Sequence, residues 1–362
     1  SMPAKIRTRT DKHALDIYAK FQKELIDGKL NASDPMIDVI GLMDLYCRSA
    51  LGNTPEFISA VAFANFYISE IETRYTTEIG TGVAAENMIK MLKKRKKLVD
   101  LKNNATVGKI RNVENGVEVF FVKDGKTHLA KASFAVFAAQ LKHAPNIIEN
   151  FNDKASEQAR LMRELDYSHY SVHAVKVKGH PYRATYDTWT RAEDYTEDDF
   201  TDLILGRWMD PKIDGYEGMR DFKKHPADKN GILSVYQPLP QKWHGKGYTR
   251  EQASTLAENS VDRMIELYQP LLTKNWGTKI EVEAVQTSRW PLSVHVAAPG
   301  HFTHKARILR RPFGRVYFAH SNMGTPAFEE ALFRGHCAAN NILLKYNSGF
   351  KQESWTLCPV EQ

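Results

Sequence analysis

Apolar residues at helical spacing dominate the first part of the chain. Three segments repeat apolar side chains every three or four positions, the period that buries one face of a helix. These predicted helices are Lys12–Leu30, Met36–Ala50 and Pro55–Ile71. Only short turns separate them, so we predict a helical region that packs together or covers another part of the protein.

The clearest strand pattern follows, between residues 105 and 139. Apolar and polar residues alternate with period two, which is typical of half-buried strands. The predicted strands are Ala105–Ile110, Val117–Val122 and Thr127–Lys131, followed by a short apolar strand within Ser133–Ala139. Asn115-Gly116 and Asp124-Gly125 are favoured hairpin turns, so the first three strands should form an antiparallel meander.

The second half of the chain contains both helical and strand patterns. Glu149–Arg163 is predicted as a polar helix, and Tyr248–Tyr268 as an amphipathic helix that ends at Gln269-Pro270. The predicted strands are Tyr170–Val177, Leu203–Trp208, Ile232–Gln237 and Ile280–Thr287. The whole pattern predicts an α+β fold.

A strand, a tight loop and a helix close the chain. Val316–Ala319 is a short β-branched and aromatic run, which predicts a buried strand. Thr325 and Pro326 suit the start of the next helix. The loop between them, Ser321–Thr325, should then present backbone N–H groups to an anionic or electron-rich ligand. An ordinary strand-turn-helix, with Gly335 as a packing position, is the alternative.

The charge of the chain limits the classes of molecule that it is expected to bind. The formal net charge is +7, and Lys90–Lys97 is the densest basic cluster. Apolar residues interleave with these lysines at helical spacing, so we predict the solvated side of a helix; an acidic protein, a nucleic acid or an anionic membrane is the alternative partner. No aromatic residues interleave to stack on bases, so no nucleic acid is expected.

The remaining composition points to a protein inside the cell. No run of eighteen apolar residues occurs, which predicts no membrane span, and the first residues do not form a secretory signal. The three cysteines are far apart and odd in number, which favours free thiols and a cytoplasmic location.

The closing strand-loop-helix resembles the C-terminal flavin signature of the amine oxidase and phytoene desaturase group of FAD proteins. Phe318, Ala319, Glu329, Ala331 and Gly335 stand at matching positions. His320 and Ser321 replace the family's glycine and acidic residue, a change that is similar to spermidine-dehydrogenase-like members.

This resemblance implies FAD as the cofactor and a set of site residues. Met323 and Gly324 would lie at the pyrimidine edge of the flavin and Trp290 beside its ring. His173 falls near the position of a lysine that contacts the flavin N5 region in amine-oxidising members, although an ordinary histidine is the alternative. The further implied cofactor-binding residues are Val107, Ala139, Ser321, Phe328 and Glu329. We expect no metal site, because His169 and His173 lie on a predicted strand rather than on one helix face.

The resemblance also implies a domain order. It gives a helical substrate cap at residues 10–75, a middle FAD segment at 76–148, a substrate domain at 149–278 and a C-terminal FAD segment at 279–350. The N-terminal βαβ unit with its G-x-G-x-x-G loop has no counterpart. A separate polypeptide that supplies this unit, loss of FAD and a shortened chain are the three explanations, and we favour the first.

The sequence therefore predicts a subunit of a flavin-dependent oxidoreductase that works as a hetero-oligomer with a small nucleotide-binding protein. It would oxidise a C–N or C–C bond of a small amine or unsaturated molecule by hydride transfer to FAD. The alternative is a non-catalytic scaffold or regulatory subunit with a degenerate fold that no longer binds FAD.

Overall fold

The structure is a computed structural model of the 362-residue chain. It describes residues 35–69, 82–178, 187–189, 200–205, 231–239, 250–276, 279–347, 349–351 and 358. No helix in these ranges is both long and apolar enough to cross a bilayer.

A helical region comes first. Helix α1 spans Pro35–Leu51, a 3₁₀ turn spans Pro55–Phe57 and α2 spans Ala60–Ser69. The second predicted helix is thus confirmed, whereas the third begins later because its first residues form the 3₁₀ turn. The first predicted helix lies outside the described residues. These helices share a small core, made by Cys47, Leu51, Ile58, Ala62, Val296 and Ala297.

Helix α3, Gly82–Lys94, carries the first half of the basic cluster and has no buried residue. We predicted that its lysines would form the solvated side of a helix. The lysines do face solvent, but the apolar side is also exposed; its members Met88, Ile89, Met91 and Leu92 are 38–61% exposed. This apolar side therefore has no partner among the described residues.

The predicted meander is confirmed. Strands β1 (Thr106–Val113), β2 (Gly116–Lys123) and β3 (Lys126–Ala132) pair antiparallel in the order β1-β2-β3. Asp124 and Gly125 both have positive φ, 50° and 71°, as a two-residue hairpin turn of this kind requires. The other turn is centred on Glu114-Asn115, one residue earlier than predicted.

A short strand and three short helices follow. Strand β4 spans Ala135–Phe137, α4 Ala144–Ile147, α5 Phe151–Lys154 and α6 Ser156–Arg163. The prediction of one helix over residues 149–163 was wrong. The chain leaves helical geometry at Ala155 (φ −134°, ψ 48°), which lets both Phe151 and Met162 reach the core.

Five antiparallel strands form the largest sheet. They are β5 (His169–Lys178), β6 (Asp187–Trp189), β7 (Asp202–Leu205), β8 (Gly231–Leu239) and β9 (Glu281–Trp290), in the order β6-β7-β8-β5-β9. Helix α7, Arg250–Trp276, covers one face through Val261 and Met264. The prediction that this helix ends at Pro270 was wrong. A proline removes only one backbone donor, and the helix continues past it to Trp276.

The C-terminal part completes a second, smaller sheet. A π-helical turn (His301–Lys305) and α8 (Ala306–Leu309) lead into β10 (Val316–Phe318), a 3₁₀ turn (Ser321–Met323) and α9 (Phe328–Tyr346). Strand β10 pairs parallel with β4, and each strand contributes three residues. One face of this parallel pair enters the main core with Phe137, Val316 and Phe318. The other face packs on α9 through Tyr317 and Ala338.

The cysteine prediction was wrong for two of the three residues. Cys337 on α9 and Cys358 form a disulfide bond with a Cα–Cα distance of 5.2 Å. Cys47 is a free thiol, and burial raises its pKa. Because disulfides are uncommon in a reducing cytoplasm, the cytoplasmic location stays a prediction without support from thiol chemistry.

Candidate functional site

Two loops meet at the carboxyl ends of β4 and β10. Because the strands are parallel and in register, Ala139 and Ser321 follow them at the same edge of the sheet. The backbone N–H of Ala319 donates to the Phe137 carbonyl over 3.0 Å, which carries the pairing past the last strand residue. The open end of a parallel sheet at its carboxyl edge is a common ligand position.

The buried side chain of Asn322 links these loops through hydrogen bonds. This side chain is 1% exposed, and its Oδ1 accepts hydrogen bonds from the Leu141 backbone N–H (3.1 Å) and the Tyr167 hydroxyl (2.8 Å). Burial raises the pKa of Tyr167, so the hydroxyl keeps its proton and donates it. The loop after β10 is therefore fixed to the segments that follow β4 and precede β5.

A third segment, after β9, reaches the same place. Gln140 Nε2 donates to the Leu292 carbonyl over 2.6 Å, and His295 Nε2 contacts the Gly324 carbonyl over 3.0 Å. Trp290 stands two residues before Leu292 and is 57% exposed. The structure thus gathers Ala139, Ser321, Met323 and Gly324, together with the segment that begins at Trp290.

The loop itself differs from our expectation. Three of its N–H groups are bonded internally: Asn322 to His320 Nδ1 (3.1 Å), Met323 to the His320 carbonyl (3.2 Å) and Gly324 to the Ser321 carbonyl (2.9 Å). We predicted that the N–H groups of this loop would face a ligand, but these three groups are already bonded within the loop. Burial lowers the pKa of His320, in agreement with an unprotonated Nδ1 that accepts a hydrogen bond.

The start of α9 also differs. Its N-cap is Ala327, with no side-chain cap, and neither Thr325 nor Pro326 takes the predicted role. Phe328 is 56% exposed and Glu329 is exposed as well, whereas Glu330 turns back and accepts from Arg334 Nε over 2.6 Å. A Cβ at residue 324 would overlap the Glu330 carboxylate, so a larger residue here would displace that side chain.

His173 and Trp290 lie on opposite faces of the five-stranded sheet. Trp290 pairs with Tyr170, and His173 pairs with Thr287, so the two site residues project to different sides. His173 is on the α7 side, with Val175 and Val177, and is fully buried. The structure does not bring the two predicted catalytic residues together.

The hydrogen bonds of His173 are complete. Gln237 Oε1 can only accept, so His173 Nε2 donates to it (3.0 Å) and Nδ1 accepts from the Thr287 hydroxyl (3.0 Å). Burial lowers the pKa of His173, which keeps the ring neutral. A cavity of about 610 Å³ between α7 and β9 is lined partly by Thr287, on the side away from Trp290.

Val107 stands apart from the gathered loops. It lies near the start of β1, pairs with Phe121 and is 39% exposed. The far end of β1 contacts the segment before β10 instead, because the Asn112 side chain bonds to the backbone of Phe313 and Arg315. Its assignment to the cofactor stays a prediction.

Several residues that build the site were missed from the sequence. His295 and His301 were not among the predicted site residues, and each is 2% exposed. Arg310 donates to the Met323 carbonyl through Nε (3.2 Å) and Nη2 (2.6 Å). No local pattern marks His295 and Arg310, because their partners are backbone carbonyls distant in sequence.

Comparison with known proteins defines the architecture. No protein-family model matches the chain, and no curated protein matches it. Cyclohexylamine oxidase from Brevibacterium oxydans IH-35A superposes with a TM-score of 0.55 at 16% identity, over 92% of this chain and 67% of that one. A triple mutant of putrescine oxidase, from a redesign of its cofactor binding, gives 0.58 at 16% identity, over 95% and 77%. The chain has an amine-oxidase fold. The resemblance inferred from the closing strand-loop-helix is thus confirmed at the level of fold.

Proposed function

We propose that this chain is a subunit of a flavin-dependent oxidoreductase of the amine oxidase type. It would bind FAD and oxidise a C–N or C–C bond of a small amine or unsaturated substrate. The observation that carries the proposal is the meeting of three loops at the carboxyl ends of β4 and β10, in a fold shared with amine oxidases.

The residues at this edge fit the ring end of the cofactor. The first N–H groups of a helix lack carbonyl partners, and the positive end of α9 favours an electron-rich ring. Phe328 at the start of α9 and Trp290 expose aromatic surface that suits a planar ring. The carbonyls of Met323 and Gly324 point towards Arg310 and His295, respectively, and are therefore not available to the flavin ring. When bound, the flavin would supply the hydride acceptor, and the protein would supply orientation and exclusion of water.

The pyrophosphate end of FAD has no counterpart among the described residues. None of them forms a glycine-rich loop between a strand and a helix, the usual cradle for a dinucleotide phosphate. Our proposal therefore includes a small partner protein that supplies the nucleotide-binding βαβ unit.

An exposed apolar surface supports such a partner. The outer stripe of α9 consists of Phe328, Leu332, Leu343 and Tyr346, which share one helix face and are 39–56% exposed. Val136 on β4 pairs with Tyr317, so it faces the α9 side, and it is 45% exposed. Parallel sheets are normally larger and covered on both faces. We propose that the partner adds to the β4–β10 sheet and covers the outer stripe.

The visible absorption spectrum tests this function. We expect flavin bands after co-expression with a small Rossmann-type protein, bleaching by an amine without oxygen, and no bands for the chain alone. A colourless product in both cases, without thermal stabilisation by excess FAD, would refute the proposal and leave the scaffold alternative.

A matched pair of variants tests the docking surface. Leu332→Ser on the outer stripe should reduce co-purification of the partner at least tenfold. Leu129→Ser on β3 serves as the control, because Leu129 is exposed to a similar extent, 46% against 50%. Equal loss in both variants would argue against docking on α9.

A further inference from the structure

Two neighbouring carbonyls in the loop before α9 are held by side chains from a distant segment. Arg310 donates twice to the Met323 carbonyl, and His295 Nε2 lies 3.0 Å from the Gly324 carbonyl. A carbonyl oxygen only accepts, so His295 Nε2 must carry the hydrogen. This bond fixes both the tautomer of His295 and the orientation of the Gly324–Thr325 peptide.

The orientation of that peptide determines where the Thr325 N–H points. In a trans peptide the C=O and the following N–H point in opposite directions, and none of the described peptide bonds is cis. Because the Gly324 carbonyl is directed at the buried His295, the Thr325 N–H is directed away from it. Thr325 is partly exposed, and its N–H has no hydrogen-bond partner among the described residues.

The surroundings of His295 favour a neutral donor. It is 2% exposed, its ring lies 5.5 Å from that of His301, and burial lowers its pKa to about 4. Charged or titratable groups near the pair come from four segments: Lys305, Arg310, His320 and Arg334. Burial and His320 oppose a positive charge on His295, and Arg310, Lys305 and Arg334 oppose one on His301, so His295 acts through its N–H rather than as an ion.

We propose that His295 is a positioning residue for the flavin. By holding the Gly324 carbonyl, it turns the Thr325 N–H towards an acceptor atom at the pyrimidine edge of the ring. This inference rests on the proposed function, in which that edge lies beside Met323 and Gly324.

Two substitutions separate the N–H donor from the mere filling of space. His295→Gln keeps a side-chain N–H at a similar reach, whereas His295→Leu fills a similar volume without a donor. In the complete complex we expect His295→Leu to weaken FAD binding by about tenfold or more and to shift the visible flavin bands. His295→Gln should stay within about threefold of the wild type with an unchanged spectrum. His304→Leu is the control, because His304 is exposed on the same π-helical turn.

Equal FAD affinity and equal spectra in His295→Leu and the wild type would overturn the inference. Loss of binding in both His295 variants would also overturn it, because an N–H donor would not rescue the site.

Hydrogen exchange on the chain alone keeps this test separate from the proposed function. We expect faster exchange of the hydrogen-bonded amides of Gly324, Ala327 and Ala331 in His295→Leu and wild-type rates in His295→Gln. Unchanged exchange in His295→Leu would overturn the positioning role whether or not FAD binds. Wild-type protein that takes up no FAD in any form would instead refute the function, while the exchange rates would still decide whether His295 orders the loop.

Discussion

The two main sheets of this protein are stabilised in different ways. The five-stranded antiparallel sheet has strands of up to ten residues, and α7 closes one of its faces with Val261 and Met264. The parallel pair β4–β10 has two strands of three residues. So short a ladder supplies few backbone hydrogen bonds, and its stability must come from the core on one side and α9 on the other.

The two sheets also differ in how completely the described parts of the protein cover them. The antiparallel sheet buries Val175, Val177, Leu233 and Val235 completely. The parallel pair leaves Val136 and the outer stripe of α9 exposed; the stripe begins at Phe328, just after the gathered loops, and ends at Tyr346, which packs on Phe134 at the other end of β4. The incomplete surface thus adjoins the candidate site at the start of α9.

The largest expected effect comes from the core beneath the parallel pair. Phe318 is 4% exposed and packs against Phe137 and Phe151, with ring centroids 6.3 and 5.8 Å away. Phe318→Ala should lower the free energy of unfolding by about 3–5 kcal/mol, because it leaves a cavity in the main core. Urea denaturation monitored by circular dichroism measures this change. A loss under 1 kcal/mol would mean that the pair does not depend on core packing.

Acid should weaken the parallel region by about 3 kcal/mol. Burial lowers the pKa of His295 from 6.5 to about 4 and that of His301 also, so the unfolded chain binds more protons in this range. The contribution of His295 is complete above pH 6.5 and is lost as the pH falls towards 4. Urea midpoints at pH 7.0 and 4.5 should differ less in His295→Gln than in the wild type. A His304→Gln control with the same reduction would assign the effect to something other than burial.

Reduction of the disulfide should affect the two sheets unequally. Cys337 lies on the helix that covers the parallel pair, and the bond spans 21 residues, for which about 2–3 kcal/mol of stabilisation is typical. After reduction, hydrogen exchange should rise in β10 and α9 but not in β5 and β8. Thiol titration in denaturant should find one reactive cysteine before reduction and three afterwards. Three before reduction would restore the free-thiol prediction.

Sequence patterns predicted the elements better than they predicted the site. The meander and β5 follow from period-two alternation and turn residues, and the strand at Val316 follows from a β-branched and aromatic run; all of these signals act locally. Local propensity misplaced both the break at Ala155 and the continuation of α7 through Pro270. Met323 and Gly324 were named from the sequence, and their assignment to the flavin stays a prediction. The site's supporting side chains Asn322, Arg310 and His295 bind backbone groups from distant segments, and no local pattern encodes such contacts.

The substitution with the smallest expected change in stability gives the most direct test of the difference between the two sheets. Val136→Thr keeps the β-branched shape of an edge residue that is 45% exposed, so it should change the free energy of unfolding of the isolated chain by less than about 0.5 kcal/mol. The same substitution places a hydroxyl in the surface that we propose the partner covers, where it would be buried without a defined acceptor. We therefore expect unchanged urea denaturation together with weaker partner binding by isothermal calorimetry. A marked loss of stability in the isolated chain would mean that Val136 is already covered there, and that the parallel pair is as complete as the larger sheet.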